Sequence, residues 1–253
     1  MTGLLVERAD AVLRIVFDRP ERLNALTAGV LRRAADAVEE AAADPRVRVI
    51  VFGGTGRAFS SGADLSSVDG DGTEGIDQAN RLVGAIAGTP KPVVAAVNGG
   101  AAGVGCSIAL ACDLIWAAES AYFLLAFAGV GLMPDGGATA TVAAAVGRAR
   151  AARMALLAER IPARQALDWG LISAVAPDEA LSAEVDEVVA RLAAGPTAAY
   201  AETKKALRAS TLPDLDGALA RERAGQLRLF ASEDFAEGVR AFIEHRPARF
   251  TGS

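Results

Sequence analysis

The sequence predicts an α/β fold closed by a C-terminal helical part, and three observations carry that prediction. Short runs rich in β-branched residues alternate with longer segments of helical periodicity through the first two-thirds of the chain. From Leu181 onward the pattern is nearly all helical, with Gly195-Pro196 as its best punctuation. The 253 residues, 52% hydrophobic and 23% charged, suffice for a full core and exclude disordered and fibrous classes.

Taken in order, LLVER and VLRIVFD are the first two strand candidates, and a helix runs from about Thr27 to Ala43 before the strand VRVIVFGG. A helix around Gly75 to Ala87 stops before Thr89-Pro90-Lys91-Pro92, because proline lacks the amide and the steric freedom to continue it. PVVAAVNGG follows as a buried strand ending in glycines, and a helix begins near Val104. DLIWAAE and AYFLLAF read as two further strands, and Asp135-Gly136-Gly137 opens another helix after Pro134. Helices near 197–209, 213–230 and 233–245 complete the chain, dividing it into a core, 1–195, and a helical region, 196–253. The sequence shows neither an internal repeat nor a low-complexity linker.

Composition removes several functional classes. With 26 basic against 31 acidic side chains, a net charge of −5 argues against a nucleic-acid or membrane-surface binder, which needs a basic field. Cys106 and Cys112 fit neither a disulfide framework nor a zinc ribbon and read as core thiols. His245 is the single histidine; it reads as a surface residue and leaves little room for a zinc site or a Ser-His-Asp triad, and no metal is expected. No signal-like N-terminus and no run of 18 apolar residues is present, so a cytoplasmic protein is expected.

Glycine-rich segments are the remaining candidates for chemistry. VNGGAAGVGCSIAL has the strand-to-helix context of a phosphate loop, but Ile108 stands where GxGxxG needs its last small residue. Gly105-Cys106-Ser107-Ile108-Ala109 falls short of a nucleophile elbow and lacks a histidine base. What survives is an amide-lined helix N-terminus at Val104, whose donors and dipole favour an anionic oxygen. The loop AFSSGADL, Ala58 to Leu65, is a second tight turn where small residues around Ser61-Gly62-Ala63 let a ligand approach the backbone. Two amides from these loops converging on one carbonyl oxygen would make an oxyanion hole; the alternative is a pair of plain turns between packed elements.

AFSSGADL, then KPVVAAVNGGAAGVGCSIALACDL, GLMPDGGAT and ERIPARQALDWGLISAV, in this order and spacing, closely resemble the crotonase superfamily of acyl-CoA enzymes. VFDRPERLNAL fits the family's first loop and EDFAEGVRAFIEHRPARF its C-terminal helix, so the resemblance spans nearly the whole chain. It implies a spiral of repeated ββα turns with a helical region that mediates trimerisation, as a homotrimer or a dimer of trimers. It also implies an acyl-coenzyme A thioester as substrate, with coenzyme A entering only as part of that substrate and no redox cofactor. By position, the family's oxyanion amides fall on Ser61 and Val104, and its coenzyme A contacts on Arg22, Leu23, Ala63, Asp64 and Leu65.

The resemblance also separates branches. Where the hydratase branch places two glutamates, this chain has Ser107 and Phe127, neither of which can activate water or protonate a carbon as a carboxylate does. Asp135 matches the acid of the isomerase branch, where one carboxylate removes an α-proton and returns it to the γ-carbon. An aspartate before Gly-Gly at a helix start is also a good N-cap, so both roles stand open for it. Phe127 with Leu124, Leu125 and Leu132 reads as an apolar wall for the acyl group, or as core, and Asp113 as a structural acid bonded to backbone amides. The expected activity is a double-bond shift in an enoyl-CoA; a hydratase using other residues and a non-catalytic acyl-CoA-binding paralogue are the alternatives. RNA binding would need a basic helical surface, against the net charge.

Overall fold

Leu13, Ile15 and Phe17 are buried while the residues between them are half-buried, the alternation of a strand with one face in the core. This strand, β2 (Val12–Phe17), pairs antiparallel with β1 (Leu4–Ala9) in the computed structural model, which describes residues 3–67 and 72–253. Helix α1 (Ala28–Ala43) starts where Thr27 accepts the Val30 amide on Oγ1, and returns the chain to β3 (Val49–Gly54), parallel to β2.

From β3 the chain repeats one movement. A strand in a large sheet is followed by a strand of three residues in a small sheet and then by a helical stretch. The turns are β3, β4 (Ala58–Ser60), α2 (Thr73–Gly88); β5 (Val93–Val97), β6 (Gly100–Ala102), α3 (Val104–Ala111); and β7 (Leu114–Ala118), β8 (Tyr122–Leu124), a 3-10 turn at Ala126–Val130 and α4 (Ala138–Leu157). The chain continues with β9 (Ile161–Pro162), α5 (Ala163–Asp168), β10 (Ala174–Ala176) and α6 (Leu181–Ala194). Last come α7 (Thr197–Thr211), α8 (Leu215–Phe230) and α9 (Glu233–Ile243). Among the described residues the sheet orders are β1-β2-β3-β5-β7-β10 and β4-β6-β8-β9, parallel except for the β1 and β9 pairings. The ββα spiral is therefore present.

The sheets meet through aromatic packing. Phe17 lies edge-on to Phe59 of β4 with centroids 5.5 Å apart, and tilted to Phe52 of β3 at 6.2 Å. Helix α6 lies across β3, β5 and β7. None of the helices among the described residues is long and apolar enough to cross a membrane.

Two expectations need correction. AYFLLAF is a strand only over Tyr122–Leu124, because Leu124 is the last residue paired with β6 and its carbonyl turns to accept the Gly103 amide. Leu125 leaves the sheet and Phe127 sits in the 3-10 turn. PVVAAVNGG is split: β5 ends at Val97, and Gly100 opens β6 in the other sheet.

The C-terminal helices are tied to this frame by polar contacts from below. Lys204 of α7 donates from Nζ to the Ile86 and Lys91 carbonyls and to Asp113 Oδ2 at 2.7 Å, while the same oxygen accepts the Val93 amide. Asp113 is thus structural, as its sequence context indicates. Lys204→Met orphans two carbonyls and leaves the carboxylate without its cation. The expected outcome is a loss of about 2 kcal/mol, read from urea unfolding midpoints at unchanged slope.

Candidate functional site

The first loop is built by Asn24. Its side chain, almost fully buried, accepts the Arg19 amide on Oδ1 and donates from Nδ2 to the Thr55 and Ala58 carbonyls. Leu23 and Asn24 both hold left-handed backbone, φ 51° and 57°, which this network stabilises against the steric penalty for L-residues. Ser60 Oγ donates to the Asn24 carbonyl and accepts the Gly62 amide. The strip is completed by Leu26, whose amide meets the Gly62 carbonyl while its own carbonyl receives the Asp64 amide.

This strip decides which amide is available. Ser61, expected to supply an oxyanion donor, spends its N–H on the Leu23 carbonyl at 2.9 Å, so that expectation fails. Ala63, two residues on, is exposed, and its amide donates to no acceptor among the described residues. It is the donor this loop can offer.

The second donor stands opposite. Val104 is the first residue of α3, where amides have no acceptor within the helix. A Cβ at Gly62 (φ +93°) would fall 2.9 Å from the Ala102 carbonyl oxygen and 3.4 Å from Gly103 Cα, so the two loops touch backbone to backbone. Ser60 fills the space a side chain at Gly105 would need, at 2.6 Å. Ala63 and Val104 thus each follow a glycine in this contact.

The carboxyl of Asp135 lies beside α3. Its neighbour Gly136 is close enough that a Cβ there would stand 2.9 Å from Ser107 Cβ and 3.7 Å from Val104 Cγ2. Ser107 Oγ donates to the Asp135 carbonyl at 2.8 Å, fixing the backbone of the acid and committing the hydroxyl. The Asp135 side chain is 7% exposed; Oδ2 accepts from Gln226 Nε2 at 2.9 Å, and Oδ1 is buried without a partner among the described residues. Burial, aided by the charge of Glu222, pushes its pKa up to about 7 against the one hydrogen bond that opposes it.

Asp135 does not cap α4. Gly137 is the capping residue, with left-handed backbone and no side-chain bond. Glu222 of α8 takes the capping role across the fold: Oε2 accepts the Gly137 amide at 2.6 Å, and Oε1 the Thr139 amide and hydroxyl at 2.8 and 2.5 Å. Sequence reading missed Glu222 and Gln226. Their signal was present, since Leu215, Leu219, Glu222 and Gln226 recur at helical spacing and all four are buried.

The expected coenzyme A positions fall on the paired loops. Leu23 and Ala63 lie on the strip, Arg22 is exposed beside it, and Leu65 opens the 3-10 helix Leu65–Ser67. The Asp64 carboxylate is committed to the frame: Oδ2 accepts from Arg19 at 2.8 Å and Oδ1 from the Ser66 amide and hydroxyl. Phe127 is buried in the 3-10 turn as a member of the core, which also holds Leu26 and Val104. Cys106 and Cys112 are free buried thiols, burial lifting Cys106 to about 12, and His245 is exposed just past α9.

Known proteins with this sequence pattern and fold share that geometry's frame. The chain matches the family model described as enoyl-CoA hydratase/isomerase over residues 7–253. It is 44% identical to a probable enoyl-CoA hydratase of Rhodobacter capsulatus, covering 97% of this chain and 96% of the relative. It is 37% identical to the 1,2-epoxyphenylacetyl-CoA isomerase of Escherichia coli, covering 100% and 99%. The crystal structure of an enoyl-CoA hydratase from Mycobacterium avium subsp. paratuberculosis K-10 superposes with a TM-score of 0.93 at 55% identity, over 98% of both chains.

A raised carboxyl pKa has a sign in stability. Below about pH 4, the ordinary range of a solvated aspartate, both folded and unfolded chains hold the Asp135 proton; between there and about 7 only the folded chain keeps it, so stability falls as pH rises through this window. Asp135→Asn has no such loss. At pH 8 the variant is expected to be more stable than wild type by on the order of 2–4 kcal/mol, the difference shrinking to nothing toward pH 4, as read from urea midpoints across pH.

Proposed function

The chain belongs to the enoyl-CoA hydratase/isomerase family, and from that premise we propose that it moves a carbon–carbon double bond within an enoyl-CoA thioester. The observation that carries this reading is the buried carboxyl of Asp135, with one oxygen unpartnered among the described residues, in a loop that Ser107, at the hydratase-type acid position, holds by its backbone.

In this reading the amides of Ala63 and Val104 receive the thioester oxygen and stabilise the negative charge that develops as the α-proton leaves. Asp135 removes that proton as base, giving a dienolate, and returns it to the γ-carbon as acid, so one proton leaves and one is delivered on the same face. A carboxyl poised near 7 is matched to both halves of the task, which a freely solvated aspartate is not. The coenzyme moiety lies along the paired loops at Arg22, Leu23, Ala63, Asp64 and Leu65, Asp64 acting there through backbone. Phe127 stands in the apolar wall of the acyl side. Assembly as a homotrimer or a dimer of trimers is part of the proposal, supported by exposed Leu156, Leu157, Phe242, Ile243 and Phe250.

Hydration is the second reading, favoured by the similarity to the probable enoyl-CoA hydratase of Rhodobacter capsulatus and to the enoyl-CoA hydratase of Mycobacterium avium subsp. paratuberculosis. It uses the same amides and requires an activated water. Ser107 is a poor activator, since its hydroxyl already donates to the Asp135 carbonyl.

The two separate on 3-enoyl and 2-enoyl thioesters assayed in D2O by mass spectrometry. Expected are α-carbon exchange and double-bond migration, with kcat/KM rising with pH through an apparent pKa near 7. In Asp135→Asn both fall about 10²- to 10⁴-fold. Migration that survives in the variant, or accumulation of a hydroxyacyl product without migration, defeats the isomerase reading.

A further inference from the structure

We propose that Gln226 is a positioning residue for Asp135: it holds Oδ2 throughout the reaction, so that Oδ1 alone takes the α-proton and delivers it to the γ-carbon. The proposal rests on the isomerase reading above.

The geometry is asymmetric at both ends of the contact. A carboxyl group has two equivalent oxygens in solution, but here one accepts from Gln226 Nε2 at 2.9 Å and the other is buried with no partner among the described residues. The amide hydrogen is not transferable at ordinary pH, so it occupies one lone pair of Oδ2 and fixes the plane of the carboxyl, while Oδ1 keeps both of its lone pairs. Gln226 is fully buried and its own Oε1 has no partner among the described residues, so the side chain serves Asp135 and nothing else in its surroundings. Without that bond, rotation of the carboxyl would put either oxygen toward the substrate, and a misplaced base is a slow one.

What holds Gln226 is the docking of α8. One turn earlier on the same face, Glu222 accepts the amides of Gly137 and Thr139, immediately beyond the acid. Arg223 of α8 clasps Asp77 of α2 through two hydrogen bonds, at 2.6 and 3.2 Å. Among the described residues the charge that acts on Asp135 is that of Glu222, one turn away from Gln226 on α8. Helix α3 and the first half of α4, before Gly147, carry no charged side chain. A change in the Asp135 limb of a pH profile in a variant that keeps Glu222 therefore reports on Gln226.

The experiment compares Gln226→Leu, Gln226→Glu and Asp135→Asn in the full chain, with kcat and KM measured separately on a 3-enoyl-CoA across pH 5–9. Gln226→Leu removes a donor that favours the carboxylate; kcat is expected to fall about 10- to 100-fold with KM little changed. The acidic limb of kcat/KM should also move up by about one pH unit or more. Gln226→Glu keeps the shape and, when protonated, the donor. It should restore much of the low-pH activity and add a descending limb at higher pH, where two adjacent carboxyls can no longer share one proton. It also serves if the leucine variant does not fold.

A folded Gln226→Leu or Gln226→Glu with an unmoved limb and wild-type kcat, whatever its thermal midpoint, overturns the positioning role while leaving the isomerase reading intact. Migration retained by Asp135→Asn overturns both.

Discussion

The carboxyl of Asp135 sits in an apolar interior with one hydrogen-bond donor and no cation, and much of the surrounding structure makes sense as what permits this. An ionised carboxylate so placed lacks most of the compensation water would give it, so the group holds its proton far above the usual carboxylate range. A neutral carboxyl also gains less than a charged one from the helix dipole, so it is the weaker cap. Glu222 does that work from another element, and Ser107 anchors the loop through the backbone, leaving the Asp135 side chain uncommitted on one side.

The same economy governs the two amides. An oxyanion site needs donors with no acceptor of their own, which in a folded protein is an unusual state for a backbone N–H. In the first loop Ser61 is bonded to Leu23, Gly62 to Ser60 and Asp64 to Leu26, and the amide between Gly62 and Asp64 has no acceptor among the described residues. Backbone contact between Gly62 and Gly103 then sets the spacing of the two loops, without any side chain that could flex.

How much of this could be read from sequence depends on whether each feature is local. Strands β1, β2, β3, β5 and β7 of the large sheet and the helices α1, α6, α7 and α8 are long enough for a pattern to show, and Val104 was legible as a helix start from its glycines; β10, three residues long, was not. The small sheet was not legible, because three-residue strands carry no alternation; this also hides the ββα repetition, which exists in backbone path and not in residue pattern. Local chemistry made Asp135 a fair N-cap; the competitor that displaced it lies on α8. Ser61 and Ala63 are indistinguishable in AFSSGADL until the Leu23 carbonyl is placed against the loop. Glu222 and Gln226 went unremarked in the helix near 213–230, although the spacing to Leu215 and Leu219 puts them on its buried stripe.

Synthesis runs from N- to C-terminus, and the pieces of this site emerge in a fixed order. Both amide loops and the acid itself precede α4, whereas the groups that orient the acid and cap the helix behind it belong to α8, near the end of the sequence. A nascent chain that has released everything up to α7 lacks both Gln226, which bonds the Asp135 carboxyl, and Glu222, which bonds the amides at the start of α4. The surroundings of Asp135 are therefore complete only once α8 docks on the rest of the fold, which ties this local arrangement to the folding of the whole chain.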